Sequence, residues 1–153
     1  MSRILGIDYG TRRVGLAVSD PMGIVATPLR VLEVVSDEAA VREVKRVCRE
    51  QAIEAIVVGM PFNMDGTRGP SAEAAEKFAG MVREKTGLTV ETWDERLSTS
   101  MVERVLIDGG ARREKRKQVR DKLAAQVILQ GYLDAKAAST MNDDPDRDID
   151  VEH

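Results

Sequence analysis

Residues 3–19 read RILGIDYGTRRVGLAVS, and the choice made there between helix and strand decides the fold. Arg3 to Asp8 and Arg13 to Ser19 are short, apolar and strand-like, and Tyr9-Gly10-Thr11-Arg12 between them has the composition of a hairpin turn. The stretch is therefore read as two antiparallel strands, with one acid, Asp8, at the end of the first. A third extended segment fits Ile24 to Val34.

Beyond the hairpin the period changes. Ser36 is placed to cap a helix running to about Gln51, with Val41, Val44, Val47 and Cys48 on its buried stripe. Ala55 to Gly59 (AIVVG) is continuously apolar, as expected of a strand covered on both faces in a parallel sheet. After the loop from Met60 to Gly69, Pro70 suits the first turn of a helix to about Lys85, with Ala74, Ala75, Phe78, Met81 and Val82 inward. Leu88 to Trp93 reads as another strand, ending at Asp94-Glu95-Arg96. Ser98 or Ser100 is placed to cap a helix that stops at Gly109-Gly110, and a last helix is expected from near Val119 to about Ala137.

Right-handed crossovers then set the strands near residues 4, 55 and 89 side by side and parallel, with the hairpin extending the sheet antiparallel. The expectation is an α/β fold with a mixed sheet of about five strands in the order 3-2-1-4-5, flanked by helices. One domain over 1–138 is expected, followed by an acidic disordered tail over 139–153.

Composition narrows the function classes. A chain of 153 residues with 42% apolar content supports one core and excludes a two-lobed enzyme. Cys48 is the only cysteine, so no internal disulfide forms, and Arg3, Asp8, Arg12, Arg13 and Asp20 interrupt any leader-like apolar run. A cytoplasmic protein with no membrane partner is expected. The net charge of −3 conceals an uneven distribution, since residues 143–152 hold six acids and one base, and the remainder carries 22 bases against 20 acids. Between Ala111 and Lys122 there are seven bases and two acids. Such a block reads as a phosphate-binding loop or as a solvated one.

Reactive groups in open α/β sheets gather beyond the carboxyl ends of parallel strands. Asp8 and the Asp94-Glu95 pair fall at two such ends. A third acid comes from the final helix: on a wheel of about 100° per residue centred on Ala124, Asp121 lies about 60° from that centre, whereas Lys122, Gln126 and Gln130 fall on the far side. Each acid has a plainer reading: Asp121 as a helix-terminal charge, Asp8 as a turn residue, Glu95 as an exposed ion-pair member. All three readings must hold together, although the fold brings the residues to one edge. Oxygen donors of this kind suit Mg²⁺ or Mn²⁺, two ions being expected, and the single histidine, His153, stands at the end of the sequence.

Four blocks resemble one family. Ile7-Asp8-Tyr9-Gly10-Thr11-Arg12 with Val14-Gly15-Leu16-Ala17, the run from Val58 to Gly66, Asp94-Glu95-Arg96-Leu97-Ser98-Thr99, and Asp121 to Leu129 are similar, in this order, to the bacterial YqgF family. The resemblance implies a ribonuclease-H-like fold and a metal-dependent nuclease that matures the 5′ end of precursor 16S ribosomal RNA, with the small-subunit precursor as a further partner. It implies Asp8, Glu95 and Asp121 as catalytic and metal-binding residues, and leaves the division between Asp94 and Glu95 open. Arg12, Arg96, Lys115, Arg116, Lys117 and Arg120 are the expected nucleic-acid contacts. The alternatives are a Holliday junction resolvase on branched DNA, a non-catalytic nucleic-acid-binding module, and a phosphotransferase of the actin and sugar-kinase group, whose phosphate hairpin Asp8-Tyr9-Gly10-Thr11 also resembles.

Overall fold

A computed structural model describes residues 3–63, 65–94 and 113–142, with side chains from 123 to 138 in the last stretch. The hairpin forms as expected: β1 (Arg3–Tyr9) and β2 (Arg13–Ser19) pair antiparallel, Leu5 opposite Val18 and Tyr9 opposite Val14. The turn requires glycine at position 10, since a Cβ there would lie 2.6 Å from the carbonyl oxygen of Arg13, a backbone atom that cannot swing away. Gly10 is thus first of all a turn residue. Next comes β3 (Ala26–Glu33), antiparallel to β2. Its approach is fixed by Asp20, whose carboxylate accepts the backbone N–H groups of Met22, Ile24 and Val25 and is held below the usual carboxylate range by these bonds.

Helix α1 (Asp37–Glu50) starts where Ser36 caps it, the hydroxyl accepting from the Ala39 N–H at 3.1 Å. It buries Ala40, Val41, Val44, Val47 and Cys48, and burial pushes the Cys48 thiol up to about 11, as for an inert core side chain. β4 (Ile53–Met60) pairs parallel with β1. Helix α2 (Pro70–Thr86) has its proline in the first turn and ends at Gly87, in the left-handed region at φ 70°. β5 (Thr89–Asp94) pairs parallel with β4, and α3 (Arg113–Asn142) follows. The sheet order is β3-β2-β1-β4-β5, as expected.

Alternation along the strands divides the core between two faces. Leu5, Ile7, Ile56, Val58 and Val90 pack with α1 and α2, around Phe78. Ile4, Ala17, Ala26 and Val57 pack beneath α3, against Ala125, Ile128, Leu129 and Leu133.

Three details differ from expectation. Helix α2 buries Ala72 and Ala79 with Ala75, Phe78 and Val82, whereas Ala74 and Met81 are half-buried. Helix α3 begins at Arg113, ahead of Val119, so the basic run is helical rather than a loop; lysine, arginine, glutamate and glutamine are all good helix formers. It also continues past Ala137 to Asn142. Finally, its buried stripe is turned by about 100° from Ala124 toward Ala125 and Leu129. Gln126 and Gln130 do not face away. Gln126 donates to the Ala26 carbonyl, and Gln130 accepts from the Ala26 N–H and donates to the Ile24 carbonyl. The expected helix before Gly109-Gly110 and the tail beyond 142 lie outside the described residues.

Candidate active site

Asp8 stands at the carboxyl end of β1, half-buried, paired in register with Gly15. Its face follows from its neighbours. Ile7 belongs to the α1/α2 side, and Gly6 lies so close to α3 that a Cβ would come within 2.7 Å of Leu129 Cβ. Asp8, two residues beyond Gly6, therefore belongs to the α3 side.

The direction of α3 brings position 121 toward the same end. Followed back from Gln130, which bonds Ile24 ahead of β3 as well as Ala26, to Gln126, which bonds Ala26, the helix moves toward the carboxyl end of β3. Further along β3, Val31 is level with Gly15, and Gly15 with Asp8. Position 121, one turn before Ala125, continues that climb. Its side chain lies outside the described set.

Asp94 differs from Asp8 in face. It ends β5, paired with Met60, and follows Trp93, which packs under α3. By alternation Asp94 belongs to the α1/α2 side, opposite to Asp8. Glu95 and Arg96 lie outside the described residues. Among the described residues no three His, Cys, Asp or Glu side chains cluster as metal ligands. Cys48 is buried on the opposite side of the sheet, so what Asp8 offers at this strand end is carboxylate oxygen rather than thiolate, and such oxygen fits a hard cation.

One anchor escaped the sequence reading. The Tyr9 hydroxyl donates to Asp37 Oδ1 at 2.8 Å, and its ring stacks on Phe78 with centroids 4.6 Å apart. Burial first, then the bond and charge of Asp37, push this phenol up to about 12. The residue after Asp8 is thus tied to both α1 and α2, which fixes the strand end. The only sequence signal is an aromatic residue at an exposed-looking turn. Arg12 is exposed on that turn. Lys115, Arg116, Lys117 and Arg120 fall in the first turns of α3, without described side chains.

The sheet order with these flanking helices defines a RuvC-like, ribonuclease-H-like fold. "T. thermophilus RuvC in complex with Holliday junction substrate" aligns at TM-score 0.56 and 20% identity, over 90% of this chain and 96% of that one. The fowlpox virus Holliday junction resolvase aligns at 0.52 and 11%, over 87% and 99%. At such identities the likeness is one of fold. The chain itself belongs to the RuvX family, described as "Holliday junction resolvase", which matches residues 2–135 and is the YqgF family of the motifs above. Relatives named "Putative pre-16S rRNA nuclease" are 46% identical in Clostridioides difficile, over 90% of this chain and 97% of the relative, and 46% in Geobacillus kaustophilus, over 88% and 99%. No helix among the described residues is long and apolar enough to cross a membrane.

Proposed function

We propose that this chain is a divalent-metal-dependent nuclease that hydrolyses phosphodiester bonds in the 5′ maturation of precursor 16S ribosomal RNA. The observation that carries the reading is 46% identity to relatives of that name over nearly the whole of both chains. The position of Asp8, an acid at the carboxyl end of a sheet strand on the α3 side, supports it.

In this reading Asp8, Glu95 and Asp121 hold Mg²⁺ or Mn²⁺. Bound there, such ions lower the pKa of water and neutralise charge on the phosphate. Glu95 takes this role rather than Asp94, whose register position is on the other side of the sheet from Asp8. The backbone beside Asp8 is anchored through Tyr9, which keeps this strand end fixed as charge develops on the substrate. Lys115, Arg116, Lys117 and Arg120 offer a run of charge along the first turns of α3 for the sugar-phosphate backbone, and Arg12 and Arg96 add to it.

The test is a paired cleavage assay with Mn²⁺, on precursor 16S RNA in its ribosomal particle and on a synthetic four-way DNA junction, using wild type and Asp8→Asn. The RNA is cleaved and the junction is not, and Asp8→Asn loses at least about a hundredfold in rate with an unchanged circular dichroism spectrum. Cleavage of the junction alone would transfer the reading to the resolvase activity of the family description. Full activity in Asp8→Asn would remove Asp8 from the site.

A further inference from the structure

Two strands across the sheet from Asp8 lies an open recess of about 410 Å³, lined by Glu91, Thr92, Trp93, Tyr132, Ala135 and Lys136. Register relates the two places. Ile7 pairs with Val58, so Asp8 is level with Gly59, and Gly59 pairs with Trp93. Trp93 and Asp8 thus share one face at one level, with backbones about 10 Å apart.

The recess is a prepared aromatic corner. Trp93 and Tyr132 meet edge to face, centroids 6.3 Å apart at 87°. The Tyr132 hydroxyl is bonded to Glu91; burial, then this bond and the Glu91 charge, push it up to about 12, so it stays a neutral donor. The Lys136 ammonium sits 5.8 Å from the Tyr132 ring centroid. The indole nitrogen of Trp93 is buried without a hydrogen-bond partner among the described residues, against Gly131, where a Cβ would come within 3.3 Å of it. The ring is kept in this place at the expense of its own polar group, while Tyr132 is half-buried and Lys136 exposed.

A planar apolar wall beside an ammonium matches a flat heterocycle that carries an anionic phosphate. The geometry points to this recess as a subsite for one unpaired nucleotide of the substrate strand, the base on the Trp93–Tyr132 corner and a phosphate on Lys136. It rests on the reading of the substrate as nucleic acid and adds to it a base contact, where the basic turns of α3 offer only backbone contacts. A base in a duplex has both faces stacked, so the subsite selects single-stranded sequence beside the cleaved bond.

Trp93 is the only tryptophan, so its fluorescence reports on this place alone. Full-length Asp8→Asn, which leaves RNA intact, is titrated at low salt with tetrauridylate and with its abasic counterpart. Tetrauridylate quenches the emission saturably, and the abasic form binds at least about fivefold more weakly. Tyr132→Ala added to Asp8→Asn weakens tetrauridylate by a similar factor, whereas Tyr132→Phe retains it. Lys136→Ala, at an exposed position, flattens the salt dependence and keeps the test decisive if Tyr132→Ala fails to fold. Equal affinity for the abasic form, or a salt slope unchanged by Lys136→Ala, overturns the subsite. Cleavage by wild type is scored separately. Cleavage without the fluorescence change sinks the subsite alone, and the fluorescence change without cleavage sinks the nuclease reading alone.

Discussion

Along β1, the side chains turned to α1 and α2 are Leu5, Ile7 and Tyr9, while those turned to α3 are Ile4, Gly6 and Asp8. One row stays bulky to its end, where Tyr9 locks onto Phe78 and Asp37. The other shrinks to glycine and then becomes charged. The difference separates two duties of one strand. Among the described residues the α1/α2 face holds the larger aliphatic cluster. Among the described residues the α3 face sets small residues such as Gly6, Ala17 and Ala26 among larger ones, so that α3 lies close, and it carries Asp8 at the strand end.

The comparison can be broken most sharply by Phe78→Ala. That side chain is fully buried in the larger cluster, and its removal is expected to cost about 3–5 kcal/mol, read from the urea midpoint at constant slope. Gly6→Ala follows at about 1–3 kcal/mol, because the new methyl meets Leu129 Cβ at 2.7 Å and the Ala125 carbonyl oxygen at 3.1 Å. A larger loss at Gly6 than at Phe78 would reverse the assignment of duties. Gln130→Ala leaves the buried Ala26 N–H without its 2.8 Å acceptor, and is expected to cost about 1–2 kcal/mol by the same measurement.

The smallest effect is in the two tyrosines, one on each face and both pushed up to about 12 from the ordinary 10. Because the folded values are raised, the stability each contributes is complete below about pH 10 and is lost as pH rises toward 12. Near-ultraviolet absorbance should show no tyrosinate in the native protein at pH 10, where the unfolded chain is already half ionised. A single early step would identify the face that opens first.

Much of this was legible because it is local. The Ser36 cap, the proline opening α2, the glycine turn and the apolar run of β4 each act within a few residues, and the sheet order followed from them by connection handedness. Asp8 was legible for the same reason, as an acid at a strand end. The orientation of α3 was not. Ala124, Val127, Ile128, Gly131 and Ala135 form an apolar stripe in sequence, and Ile128 is buried accordingly, yet the helix turns further, toward Ala125 and Leu129. It does so because its glutamines find backbone partners around Ala26, more than a hundred residues away in the case of Gln130. A polar residue that satisfies distant backbone is indistinguishable in sequence from one that faces water. The face of Asp94 likewise became readable only from the pairing of β5.

Those glutamines have a consequence for the border of the sheet. An amide side chain carries the same donor and acceptor as a peptide group, so Gln126 and Gln130 occupy, at the start of β3, bonding positions that an incoming ribbon from another molecule would use. The helix that roofs one face thereby also closes a corner against aggregation.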